Sequence, residues 1–124
     1  MNNPIVFISR NRIKPGMVEA FKRHYTGSIP SIETGKPGML VQFSYESEDA
    51  TEVTVVRLFR DADGLDQQLQ SAHKRAKRTY DFIEPVSIEI YGRPNAGTIE
   101  TMKEIAGLGV PVHIHPQYIG GFIR

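Results

Sequence analysis

Two side chains in this sequence have the type and the setting for proton chemistry: His73 and Asn11. His73 follows Leu69 by four residues and precedes Ala76 by three, beside the apolar stripe of a helical pattern. An imidazole there can serve as a general base or ligate a metal, and the plain alternative is a boundary histidine bonded to backbone. Asn11 lies near the end of the first strand pattern, where its NH₂ could orient a substrate carbonyl or stabilise a developing enolate oxygen. The plain alternative is an asparagine opening the turn into Lys14-Pro15-Gly16. Tyr25, Tyr45, Tyr80 and Tyr91 are candidate proton donors or stacking walls. Tyr25 and Tyr80 fall on helical core faces, where packing with a satisfied hydroxyl is the ordinary role. Phe21 and Leu69 read as walls of a small-molecule pocket or equally as plain core.

Other patterns are weaker. His113 and His115 share a face if their segment is extended, but no third metal ligand is identifiable, and His24 and the acids are only candidates. No metal site is therefore expected. Lys74, Arg75, Lys77 and Arg78 make a local basic run that could attract a carboxylate, although a solvated helix face is the blander account. Gly120-Gly121 lacks the strand-to-helix context of a phosphate loop.

The elements that must position these groups follow from periodicity. Ile5 to Ile13 reads as a strand ended by Lys14-Pro15-Gly16. Met17, Phe21, Tyr25 and Ile32 are spaced by 4, 4 and 7, which predicts a helix from Met17 to about Glu33, with Pro30 forcing a kink or stop near Gly27. Met39 to Glu46 and Glu52 to Arg60 read as an antiparallel hairpin. Asp61-Ala62-Asp63-Gly64 starts a second helix, marked by Leu65, Leu69, Ala72, Ala76 and Tyr80. Glu84-Pro85 stops it, and Val86 to Gly92 reads as a fourth strand. The order β-α-β-β-α-β predicts an α+β, ferredoxin-like domain over residues 1–93, with four antiparallel strands and both helices on one face. Residues 94–124 add a short amphipathic helix through Ile99, Met102, Ile105 and Ala106, then an apolar strand or arm packed on the domain or on a partner.

Composition limits the function classes. The 124 residues fit one domain. Fifteen Lys and Arg against 14 Asp and Glu give a net charge of +1, so neither nucleic acid nor an anionic membrane is an expected partner. Cysteine is absent, which excludes disulfides, thiolate metal sites and a Cys nucleophile. The apolar run Ile5-Val6-Phe7-Ile8 is too short for a signal core or a membrane span, and the expected location is cytoplasmic.

Both faces of the expected sheet look apolar. Ile5 and Phe7 oppose Val6 and Ile8, and Val53, Val55 and Phe59 oppose Val56 and Leu58. Two helices cover one face only, and a sheet with one wet face should carry polar residues there. The predicted cover is the same face of a second copy, with the C-terminal arm as the alternative within one chain.

The element order, the strand ending in Asn11-Arg12 and the segment Ser71-Ala72-His73-Lys74 resemble the antibiotic-biosynthesis-monooxygenase family of the dimeric α/β-barrel superfamily, over about residues 5–93. The resemblance implies a homodimer whose two sheets face each other as a barrel, with a pocket between helices and sheet in each subunit. Members include cofactor-free oxygenases of phenolic or polyketide anthrones, quinol oxygenases and haem-degrading oxygenases. Asn11 matches a pocket asparagine of the haem-degrading branch, and His73 its haem ligand. That branch also relies on a Trp on helix two, and this chain has no Trp. The expectation is a cofactor-independent monooxygenase acting on a hydrophobic aromatic or polyketide-like molecule, with His73 as base, Asn11 orienting the substrate, and Phe21, Tyr25, Leu69 and Tyr80 around it. The alternatives are a non-catalytic small-molecule-binding homodimer and a haem-binding protein.

Overall fold

The structure, a computed structural model, describes residues 3–70, 72–107 and 109–124, with the side chains of 72–74 outside the description. Alternating side chains build four strands: β1 (Ile5–Ile13), β2 (Met39–Glu46), β3 (Glu52–Phe59) and β4 (Ile83–Tyr91). The helices are α1 (Val18–Gly35), α2 (Ala62–Gln70), α3 (Ala72–Thr79) and α4 (Thr98–Ala106), and a short β5 (Val112–His115) follows. The sheet order is β2-β3-β1-β4-β5. The first four strands pair antiparallel, as the element order predicts, while β5 adds to β4 in parallel, so the sheet has five strands and is mixed. Within one chain it is an open sheet with β2 and β5 at its edges.

Three local readings change. α1 continues through Pro30 to Gly35 instead of stopping near Gly27. Thr26, whose carbonyl loses its partner at Pro30, is exposed, as Pro30 is, so water can satisfy that carbonyl. The expected second helix is two helices, α2 and α3, on either side of residue 71. β4 begins at Ile83 and carries Pro85 within it. Pro85 sits opposite Asn11, where the β1–β4 register shifts, and β5 reaches only Ile88 to Tyr91, so this part of β4 is an edge that needs no further donor.

One sheet face carries Ile5, Phe7, Val55, Phe59, Ile88 and Ile90, all buried. Leu65 of α2 and Met102 and Ala106 of α4 pack into the same core. A second cluster joins Ile13, Val53 and Ile83 to Phe21 of α1, with Tyr25 and Tyr80 against it. The C-terminal helix therefore covers the helix side of the sheet, not its opposite face. On that opposite face Phe43 and Tyr45 are 56% and 63% exposed, beside half-buried Val6, Ile8, Val56 and Leu58. Among the described residues no helix is long and apolar enough to cross a membrane.

Candidate functional site

Between the helices and the sheet lies a cavity of about 200 Å³. Its floor is the helix-side face of β1, β3 and β4, and its walls come from α1, α2, α3 and α4. Of the residues singled out in the sequence, Asn11, Phe21, Tyr25, Leu69 and Tyr80 all line it. His73 lies in the backbone of α3, and its side chain is outside the described residues. The C-terminal helix closes part of the space with Met102, Ile105 and Ala106.

Asn11 is 4% exposed on the floor. Its Nδ2 donates to the Ser9 carbonyl, the Ser9 hydroxyl and the Val53 carbonyl at 3.3–3.5 Å. Reversing the amide would set its oxygen against two carbonyl oxygens, so the neighbours fix its direction. The NH₂ expected to meet a substrate oxygen is thus turned to the backbone, and Oδ1 is the end left without a bond among the described residues.

The aromatic wall comes from α1. Phe21 stacks on Tyr25 with ring centroids 5.9 Å apart. The Tyr25 hydroxyl accepts from Gln42 Nε2 at 3.3 Å, and Gln42 Oε1 accepts from Arg57 Nε at 2.8 Å. This chain of bonds leaves the Tyr25 proton free to be donated. Burial raises the Tyr80 phenol pKa, with Arg57 opposing in part, so it stays protonated at neutral pH.

His24, which the sequence offered only as a remote metal ligand, also lines the cavity. Its Nε2 lies 3.0 Å from the Thr79 hydroxyl. Burial lowers its pKa, nearby Arg78 lowers it further, and Asp81 opposes. The imidazole is therefore held neutral near pH 7, the state a base requires.

Arg57 is the group that sequence reading missed. It sits on β3 opposite Phe7, and its guanidinium carbon is 5.5 Å from the Phe7 ring centroid. Burial pushes its pKa down to about 10, which keeps it charged at neutral pH. The available signal was parity: Val53, Val55 and Phe59 are core residues, and Arg57 shares their face. Arg75, from the basic run, lines the same cavity and donates to the Gln68 carbonyl at 3.0 Å, while Lys77 and Arg78 are exposed. Among the described residues no Asp or Glu lines the cavity.

His113 and His115 lie elsewhere, on the face of the sheet away from the helices. His115 stacks on Tyr91 at 4.8 Å, and Tyr91 donates to Glu89, which also pairs with Arg10. No group of three or more His, Cys, Asp or Glu among the described residues is placed to hold a metal ion.

Comparison with solved structures places this arrangement. MupZ from Pseudomonas fluorescens superposes with a TM-score of 0.73 at 17% identity, over 99% of this chain and 96% of that one. A Caulobacter crescentus protein provisionally named an antibiotic biosynthesis monooxygenase gives 0.63 at 18% identity, over 72% of this chain and 88% of that one. SnoaB, a cofactor-independent oxygenase from Streptomyces nogalater, gives 0.63 at 11% identity, over 77% and 97%. The chain has the antibiotic-biosynthesis-monooxygenase-like fold. At these identities the likeness is one of fold. With MupZ it extends through the C-terminal α4 and β5, given the coverage. No family model and no curated protein matches the sequence.

Proposed function

We propose that this chain is a cofactor-independent monooxygenase acting on a small hydrophobic aromatic or polyketide-like molecule with an acidic C–H or O–H. The observation that carries this reading is the largely apolar cavity into which Asn11, His24, Tyr25 and Arg57 bring polar atoms from three elements. His24 removes the substrate proton. If its Nε2–H donates to Thr79, Nδ1 is the basic lone pair. Asn11 Oδ1 accepts a hydrogen bond from the substrate and orients it. The resulting carbanion passes electrons to O₂, and one oxygen bonds to carbon. Loss of water leaves a carbonyl: a CH₂ group and O₂ become C=O and H₂O, with the carbon oxidised by four electrons. SnoaB, with the same fold, is a cofactor-independent oxygenase by name.

The volume narrows the substrate. An apolar cavity of about 150 Å³ takes up benzene. A space of about 200 Å³ suits one or two fused rings. It lies below the roughly 300–1,000 Å³ of sites for drug-sized ligands. No step of the proposed reaction runs through a haem.

Oxygen uptake over a panel of one- and two-ring molecules with an acidic CH₂, such as 2-indanone and 2-tetralone, with anthrone as the three-ring comparison, tests the reading. The wild type should consume O₂ with at least one of them, and His24→Gln should slow it about 10²–10⁴-fold. The sequence pattern offers His73 as the base instead. A loss in His73→Ala with His24→Gln unaffected would move the role there. Binding of the panel without uptake would make the chain a non-catalytic binder.

A homodimer completes the proposal, with the cytoplasm as its setting. The exposed face with Phe43 and Tyr45 is left bare by its own chain, and a second copy is its cover. Burying each large side chain contributes roughly 1.5–3 kcal/mol. Light scattering should give twice the 13.9 kDa chain mass, and Phe43→Lys with Tyr45→Lys should halve it. A single-chain mass for the wild type at micromolar concentration would refute the dimer.

A further inference from the structure

Arg57 is a cation facing a cavity without a counter-ion. Its one hydrogen bond among the described residues is from Nε to the neutral Gln42 amide. Its guanidinium carbon also sits over the Phe7 ring, 5.5 Å from the centroid. The terminal guanidinium nitrogens have no protein partner among those residues. Among the described residues the cavity lining supplies two arginines, an imidazole, phenols, amides and hydroxyls, but no carboxylate. Arg57 is half-buried, and drawing a guanidinium even partly out of water without an anion is costly, so such a group is ordinarily paired. Arg57 is also preoriented: Gln42 holds Nε, and the guanidinium sits over the Phe7 ring. That leaves the terminal nitrogens as a fork, the geometry that takes up a carboxylate.

A second polar side chain in the cavity wall is incompletely bonded. Gln68 is 7% exposed, lines the cavity and has a buried Oε1 with no partner among the described residues. A half-turn of its terminal amide would present an N–H to an anion.

The strand register separates Arg57 from the proposed reaction centre. Asn11 pairs with Val53, Ser9 with Val55 and Phe7 with Arg57. Arg57 is thus four residues along β3 from the strand position opposite Asn11, roughly 13 Å of extended chain.

We infer that the cavity binds a monocarboxylate: a compact hydrophobic molecule whose carboxylate is held by Arg57 while its apolar body lies toward Asn11. This rests on the cavity being the ligand site of the proposed enzyme, and it names the chemical class that site selects. Arg57 acts here as a binding residue and takes no part in the redox step.

Titration calorimetry with a matched pair, 2-naphthoate and neutral 2-naphthamide, tests the inference on the whole chain. The wild type should bind naphthoate at least about tenfold tighter than naphthamide. Arg57→Gln should abolish that preference while leaving naphthamide affinity within about twofold, and Arg57→Lys should keep part of it. Equal affinities in the wild type, no binding of either probe, or an undiminished preference in Arg57→Gln would each overturn the inference. The wild-type ratio stands even if the Gln variant does not fold. Oxygen is not read in this assay. A preference for naphthoate with no O₂ uptake on any substrate would sink the oxygenase reading alone, and uptake without the preference would sink this one alone.

Discussion

His24 Nε2 and the Thr79 hydroxyl stand 3.0 Å apart, tying α1 to α3 over the cavity. The contact ring of Phe82, 5.1 Å from the imidazole, completes a partly dry setting. Burial, with Arg78 adding to it, makes the charged imidazole unfavourable in the folded chain.

The sign of the resulting pH dependence follows. The folded pKa of His24 lies below its ordinary value of 6.5, so in the window between the two the unfolded chain binds the extra proton. Stability from this group is fully present above pH 6.5 and is lost as the pH falls toward the folded pKa. The melting temperature of the wild type should therefore fall more steeply on acidification than that of His24→Gln. Parallel melting curves for the two proteins across this range would show that His24 is not the responsible group.

Gly64 on α2 faces Gly38 ahead of β2. A Cβ on Gly64 would lie 2.9 Å from the Gly38 carbonyl oxygen, which is already held by the Arg60 N–H at 2.8 Å. Helix propensity alone would favour alanine by about 1 kcal/mol. The collision with fixed backbone should win, and Gly64→Ala should lower stability by roughly 1–3 kcal/mol in urea unfolding. A stabilised variant would mean that the α2–β2 approach is looser than drawn.

Met102 is 2% exposed among Ile5, Phe59 and Leu65, whereas Ile119 in the last segment is fully exposed. Met102→Ala should cost about 2–5 kcal/mol by removing packed volume. Ile119→Ser should change stability by no more than about 0.5 kcal/mol. If the two variants unfold at the same denaturant concentration, α4 is not the part of the C-terminal segment that supports the core.

Much of the framework was legible before any coordinates. Alternation along β1, β2 and β3 identified the strands, and the spacing of Leu65, Leu69, Ala76 and Tyr80 identified the stripe of the α2–α3 region that faces the cavity. The same local reasoning placed Asn11 near the end of the first strand and marked Phe21, Tyr25, Leu69 and Tyr80, all of which line the cavity. Periodicity records which residues share a face, because that depends only on the geometry of one element.

Tertiary structure alone decided what each face meets. It turned the Asn11 amide nitrogen into the backbone, placed Pro85 at a register shift, and set β5 parallel to β4. It also brought His24 from α1 and Arg57 from β3 into one cavity, although they are far apart in the chain. An isolated arginine in a strand and an isolated histidine in a helix look like solvated side chains in a sequence. Their altered proton affinities arise from desolvation, and desolvation is set by neighbours from other elements, which no local pattern encodes.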